Sequence, residues 1–330
     1  MPRIAVDAMG GDRAPIEIVH GCLAAAERGV DVVIVGDESR IARLVDTAGS
    51  GIPIVHASQV VGMDDDPARA IREKKDSSIS VAARLVRQGE ADGLVSAGST
   101  GATLAAAAFI IGRLDGVSRP AIASVFPTGQ ILIDAGANLE CRPAQLVQFA
   151  VMGSAVGAVY HGVDRPRVGL LNIGHEEGKG RDVEKEAYTL LAQADPVNFI
   201  GNVEGHDIAS EDVDIFVTDG WTGNVLLKTS EGVSQALYRI IMDLVSADEY
   251  QEALVTLAKP MFELRHRLDA ESVGGAHLVG TNGVVVIAHG SSSRVAITNA
   301  IEMAADGVEQ GLIGRITDGI ATLDGSTTGP

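Results

Sequence analysis

The sequence predicts an α/β fold built on a mainly parallel sheet, and three observations carry that prediction. Short apolar runs alternate with helical patterns along most of the chain. Six of the runs end in glycine-rich polar turns, as strands do when they deliver ligand-binding loops at their carboxyl ends. The apolar residues are Ala, Val, Ile and Leu, with 46% hydrophobic but only 3% aromatic content, which suits strands covered by helices on both faces.

Taken in order, Arg3–Asp7 is the first strand and stops at Met9-Gly10-Gly11-Asp12. A helix over Ile16–Ala26 leads to a strand at Val32–Val35, a helix at Ile41–Ala48 and a strand at Ile54–Ala57. Ser77 and Ser78 are candidate caps for the helix Ser78–Arg87. Gly93–Ser96 is a strand entering the turn Ser96–Gly101, and Ala102–Gly112 is then a buried helix, too short to cross a bilayer. Ile122–Phe126 and Ile131–Asp134 flank Phe126-Pro127-Thr128-Gly129-Gln130, which reads as a hairpin and predicts one antiparallel pair. Helix Leu146–Tyr160, strand Val168–Asn172, helix Val183–Ala194, and strands Phe199–Gly201 and Ile215–Thr218 follow. Strand Val284–Ala288 and helix Val295–Gln310 complete the pattern, and Leu323 onward reads as a disordered tail.

At 330 residues the chain exceeds the usual size of one core, so two lobes sharing a cleft are expected: 1–113 with 280–330, and 114–279. Residues 225–267 break the alternation and form a projecting helical segment of the second lobe. Leu237, Ile240, Ile241, Leu244 and Val245 recur there at helical spacing, followed by Leu254, Leu257, Ala258, Met261, Phe262 and Leu264. Such a stripe faces either the core or a partner, whether a second copy or a membrane surface.

Composition excludes several classes. A net charge of −18 opposes nucleic-acid binding. No basic segment precedes an apolar run at the start, so export by such a signal is not expected. Cys22 and Cys141 lie far apart without metal spacing, as in a reduced cytoplasmic protein. No HExxH, CxxC, EF-hand loop, Gly-x-Ser-x-Gly elbow or complete dinucleotide fingerprint occurs, so neither a metal nor a cofactor is expected.

The polar turns supply the candidate chemistry. They place Asp7, Gly10, Gly11, Ser96, Ser99, Thr100, Asn138, Asn172, Asp219, Thr222, Asn224 and His289 at strand ends, where one shared catalytic cleft is expected. Lysines are few, and Lys179 and Lys228 fall at or just after glycine-rich turns, where an ammonium meets phosphate as a point charge. Lys74 with Ser77 and Ser78 combines a cation with hydroxyls at a helix start, which also suits an oxyanion.

Several segments closely resemble the PlsX family of phosphate acyltransferases. They include Asp7-Ala8-Met9-Gly10-Gly11-Asp12, Ser96-Ala97-Gly98-Ser99-Thr100-Gly101, Gly136-Ala137-Asn138, Leu171-Asn172-Ile173-Gly174, Gly178-Lys179-Gly180, Gly201-Asn202-Val203-Glu204-Gly205, Asp219-Gly220-Trp221-Thr222-Gly223-Asn224 with Lys228-Thr229, and His289-Gly290-Ser291. The resemblance runs in order from Ile4 to about Gln310, with Ser99 where the family usually has Asn, His175 where it has Glu, and Trp221 where it has Phe.

The resemblance implies an α/β/α sandwich like that of isopropylmalate and isocitrate dehydrogenases and phosphotransacetylases. It implies acyl transfer from acyl carrier protein to inorganic phosphate for phospholipid synthesis, by a cytoplasmic homodimer that touches the membrane peripherally and feeds a glycerol-3-phosphate acyltransferase. Lys179 and Lys228 would hold phosphate, while Asn138, Asn172 or Asn224 would stabilise the oxyanion. His289 would protonate the leaving thiolate or simply cap the last strand. Arg239, Lys259, Arg265, His266 and Arg267 would meet the acidic carrier protein or membrane. The alternatives are a short-chain acyltransferase using acyl-CoA, a hydroxyacid dehydrogenase on the same fold, and a membrane-associated scaffold of lipid synthesis.

Overall fold

The computed structural model describes residues 1–126, 128–247, 250–268 and 270–326. Among them, eleven strands form one sheet: β1 (Arg3–Asp7), β2 (Asp31–Gly36), β3 (Ile54–His56), β4 (Gly93–Ser96), β5 (Ala121–Val125), β6 (Ile131–Ile133), β7 (Arg167–Leu171), β8 (Asn198–Val203), β9 (Ile215–Val217), β10 (Ala276–Val279) and β11 (Val284–Ile287). The spatial order is β3-β2-β1-β4-β11-β10-β5-β6-β9-β7-β8. β10 escapes the sequence reading because it is short and carries a histidine, His277, in an otherwise apolar run.

Pairing is parallel from β3 to β11, antiparallel through β11-β10-β5-β6, and parallel again from β6 to β8. Three antiparallel steps therefore reverse the second half of the sheet. The turns after β1, β4 and β11 leave one edge, and those after β6, β7 and β9 leave the other, so the six turns do not share an edge as expected. At an ordinary twist of about 20–25° per step, the five steps from β4 to β9 rotate the strands by about 110°.

Alternation along each strand divides the core between faces. Ala5, Leu94, Val285, Leu132 and Phe216 belong to one cluster that runs beneath both halves of the sheet. It is covered by α3 (Pro67–Glu73), α4 (Ser78–Gln88) and α5 (Thr100–Ala106), which continues as a π-helical turn over Ala107–Ile111; the short helix α10 (Ala270–Val273) comes just before β10. On the opposite face, Ile4, Val6, Val95 and Val286 pack under α1 (Ile16–Glu27) and α11 (Arg294–Glu309), with α2 (Glu38–Ala48) alongside. Ile131, Ile133, Ile215 and Val217 pack under α6 (Pro143–His161) and α7 (Asp182–Leu191). The last helix, α12 (Leu312–Ser326), rests on α6 through Leu312, Ile316 and Ile320, so residues 323–326 are helical rather than a tail; 327–330 lie outside the described residues.

Helices α8 (Gly220–Val245) and α9 (Gln251–Leu268) project as foreseen. In α8 only Gly220 and Gly223 are buried; Leu237, Ile240 and Leu244 are exposed, as are Val255, Leu257 and Phe262 of α9. The stripe therefore does not face this chain's core. Arg239, Lys259 and Arg265 are exposed on the same pair, and Lys259 lies 3.9 Å from Glu263. The side chains of Leu254, His266 and Arg267 lie outside the described residues. No described helix is long and apolar enough to cross a membrane.

Candidate active site

The first group of turns is built around Asp7. Its carboxyl is buried and accepts from Ser96 Oγ at 2.8 Å and from the Met9 amide at 3.2 Å; burial raises its pKa. Ser96 Oγ also accepts from the Gly98 amide at 3.1 Å. Gly10 is obligatory here, because a Cβ would sit 2.6 Å from Asp7 Oδ2 and 2.8 Å from the Gly98 backbone. A shallow recess results, lined by Asp7, Gly10, Ser78, Ser96, Ser99 and Thr103 among others. Thr100 is exposed at the first turn of α5, and the Gly11 turn is stitched to the last strand's loop by the Asp12 amide, which donates to Gly290 O at 2.8 Å.

His289 joins this group. Its Nδ1 accepts from the Ser291 amide at 3.3 Å and lies 2.8 Å from Ser291 Oγ, which leaves the proton on Nε2. Ser77 and Ser78 are buried, with Ser77 Oγ 2.8 Å from Ser80 Oγ and the Ser78 amide donating to Gln59 O at 3.1 Å. Lys74 bonds Val60 O at 3.0 Å and pairs with Asp65, whose pKa that bond depresses, so its charge is already met within the loop bordering the recess.

The second group centres on Asp134, which follows β6 and is buried. Its Oδ1 accepts from the amides of Ile122, Gly136 and Ala137, and its Oδ2 from the Asn138 amide and side chain; burial still holds its pKa high. Asn138 Nδ2 also donates to Pro120 O at 2.8 Å. Both amide hydrogens of Asn138 are thus engaged in shaping the turn, whereas Asn224 has no hydrogen-bond partner among the described residues. Asn172 Nδ2 donates only to Lys179 O, at 3.1 Å.

The start of α8 is pressed onto this turn. The Gly220 amide donates to Asn138 O at 2.7 Å, and a Cβ on Gly223 would fall 1.9 Å from Asp134 O. Asp219 is the N-cap, accepting from the Thr222 amide at 2.7 Å. Arg181, which sequence reasoning passed over in favour of lysines, donates through Nη2 to both Asp219 and Glu184 and through Nε to Glu184. These partners, Glu184 foremost, raise its pKa, and Nη1 has none among the described residues. Its signal was the Gly178-Lys179-Gly180-Arg181 run immediately before a helix.

A cavity of about 360 Å³ opens here, lined by Leu171, Asn172, Ile173, Gly180, Arg181, Glu184, Thr218 and Thr222. Lys179 lies at its rim in the β7–α7 loop, with Nζ 3.9 Å from Glu176; Lys228 lies further along α8, donating to Glu231 at 2.9 Å. The structure therefore places Lys228 about two turns into α8, paired with Glu231, and Asn172, Lys179, Asp219, Thr222 and Asn224 at the second set of turns. Asp7, Gly10, Gly11, Ser96, Ser99, Thr100 and His289 form the first. Cys141, beside the Asn138 turn, has its thiol pKa pushed up to about 12, chiefly by burial, which suits an unreactive side chain.

One group was invisible to sequence spacing. His175, His206 and Asp207 converge from two different loops with ligand atoms within 4.8 Å of one another.

The profile of a family described as "Fatty acid synthesis protein" matches residues 2–315. A phosphate acyltransferase of Desulforamulus reducens is 46% identical over 326 residues, covering 97% of this chain and 98% of the relative. One from Desulfitobacterium hafniense is 47% identical over 324 residues, with 96% of each chain covered. Among solved structures, a branched-chain phosphotransacylase of Enterococcus faecalis aligns with TM-score 0.60 at 18% identity, over 93% of this chain and 99% of its own. A 4-hydroxythreonine-4-phosphate dehydrogenase of Klebsiella pneumoniae aligns with TM-score 0.54 at 13% identity, over 92% and 99%. Those structures share the fold. The extent of the sequence match shows more: the chain belongs to the PlsX family of phosphate acyltransferases and is an acyltransferase.

Proposed function

We propose that this chain transfers a fatty acyl group from the thioester of acyl carrier protein to inorganic phosphate, giving acyl phosphate for phospholipid synthesis. A phosphate oxygen adds to the thioester carbonyl carbon, the tetrahedral adduct collapses with cleavage of the C–S bond, and the thiolate leaves with a proton. No covalent intermediate on the protein is needed. The observation that carries the reading is the cavity at the carboxyl ends of β7 and β9. Arg181, Asn172 and Thr222 at a helix start line it, with Lys179 next to the lining residue Gly180. Together they supply cationic and neutral donors for a tetrahedral oxyanion.

Asn172 and Asn224 keep hydrogens for the developing oxyanion, and His289, from the first set of turns, offers Nε2–H as a hydrogen bond to the departing sulfur, whose proton comes from the attacking hydrogenphosphate. The Asp7 recess, with Ser96, Ser99 and Thr100, completes the substrate surface, and holding both reactants together contributes most of the acceleration. The exposed apolar residues of α8 and α9, beside Arg239, Lys259 and Arg265, suit an acidic carrier protein carrying an acyl chain, a peripheral membrane contact, or the second copy of a homodimer.

The test mixes the protein with phosphate and long-chain acyl carrier protein and traps acyl phosphate as its hydroxamate, with acetyl-CoA and butyryl-CoA as competing donors. Turnover restricted to the CoA esters would assign the short-chain reaction instead. No hydroxamate from any donor would reject phosphate acylation.

A further inference from the structure

The β7–α7 loop and the 3₁₀ turn Gly205–Ala209 after β8 bring two histidines and two carboxylates together. Glu204 Oε1 lies 3.8 Å from His175 Nε2, and its Oε2 lies 3.5 Å from His206 Nδ1. Asp207 Oδ2 lies 3.8 Å from His175 Nε2, and its Oδ1 lies 3.5 Å from His206 Nε2. The imidazoles meet edge to face at 6.3 Å. A tetrahedral ion about 2.1 Å from its ligands needs them about 3.4 Å apart; the nitrogen–oxygen separations exceed this by a few tenths of an ångström, and the ligand atoms of His175, His206 and Asp207 all lie within 4.8 Å of one another.

Orientation supplies a second, independent observation. His175 Nδ1 lies 3.2 Å from the backbone oxygen of Asn202. A carbonyl only accepts, so the proton is on Nδ1, and in the neutral ring the Nε2 lone pair is turned toward the carboxylates, as in a metal-ligating imidazole. Asp207 Oδ2 accepts from the Glu204 amide at 2.8 Å, which fixes that carboxylate and leaves Oδ1 toward His206.

We propose that this cluster binds one late first-row divalent cation of the zinc class through His175 Nε2, a ring nitrogen of His206 and Asp207, with the fourth position open to water as the exposure of both histidines allows. Imidazole with carboxylate favours zinc, nickel or copper over magnesium and calcium. The ion would join the turn after β8 to the loop that carries Lys179, which Asn202 already holds through a 2.8 Å bond to Glu176 O. Occupancy therefore sets the position of that loop and is separate from the acyl-transfer chemistry.

The experiment uses untagged, chelator-stripped full-length protein, titrated with Zn(II) by calorimetry and with Co(II) by visible absorption, and with Mg(II) for contrast. One equivalent of Zn(II) at micromolar Kd or tighter is expected, with four-coordinate Co(II) intensity and no Mg(II) uptake. His175→Gln and His206→Ala should each weaken Zn(II) at least tenfold and abolish the Co(II) bands, while His56→Ala keeps both. Melting temperatures without metal check folding, and two separate variants guard against a misfolded one. Absence of stoichiometric binding, including the case where the histidines merely form ion pairs with the carboxylates, overturns the site. So does Zn(II) binding that survives in both variants.

Discussion

The Arg181 guanidinium, which lines the cavity, donates to the Asp219 carboxylate, so the cap of helix α8 is held by the residue that precedes helix α7. One side chain thereby positions the start of α8 and offers its remaining amino group to a ligand. Replacing Arg181 with Met should raise the phosphate KM. A charged hydrogen bond is worth about 1.5–3 kcal/mol, or about tenfold or more in kcat/KM for phosphate. Asp219→Ala should instead lower stability by about 1 kcal/mol through loss of the cap. Phosphate saturation curves and denaturant midpoints separate the two effects.

Lys179→Ala and Lys228→Ala are expected to act on the same substrate. Each should lower kcat/KM for phosphate about tenfold. Their local partners, Glu176 and Glu231, are exposed or half-buried and lie one helical turn or less away, so they do not prevent a ligand from competing. Phosphate saturation that is unchanged in both variants would remove these lysines from the site.

Gly223→Ala tests the seating of α8. The added carbon would fall inside the van der Waals contact of Asp134 O, and that oxygen belongs to a backbone turn locked by five hydrogen bonds to its own side chain. Destabilisation of about 3 kcal/mol or more is expected from a urea titration, with acyl transfer lost in parallel. A variant that melts with the wild type would contradict this packing.

His277 is buried, and neither ring nitrogen has a hydrogen-bond partner among the described residues; desolvation drops its pKa to about 4. The unfolded chain binds this proton near pH 6.5 and the folded chain only near 4, so stability is lost as pH falls through that window, by about 3 kcal/mol in all. His277→Leu should flatten that slope. Asp7 and Asp134, pushed upward by burial, tilt the curve the other way, so the difference between wild type and variant is the quantity to measure by denaturation from pH 7 to 4.

Reversing Arg239 and Arg265 to Glu should raise the KM for acyl carrier protein and weaken binding to anionic liposomes, leaving phosphate saturation unchanged. The effect should be several-fold at low salt and shrink as screening increases. Carrier affinity and liposome binding that both survive at low salt would leave α8 and α9 to dimerisation alone.

Local pattern determined much of this protein. Alternating apolar runs and helical stripes announced the α/β class, and the ends of β1, β4, β6, β7, β9 and β11 were readable because Gly, Asp and Asn break strands for reasons of backbone geometry. Lys179, Thr222 and Asn224 could be named because glycine-flanked turns at strand ends face ligands. Tertiary structure alone decided the rest. Strand direction depends on pairing, so only the sheet revealed that three antiparallel steps split the polar turns into two groups. Partner choice is equally non-local. Asn138 is occupied by Asp134 and Pro120, Lys74 by Asp65, and Arg181 by Asp219 from a separate loop. His175 and His206 meet only because β7 and β8 are adjacent, and periodicity reports which face of an element is apolar but not which loops the fold sets side by side.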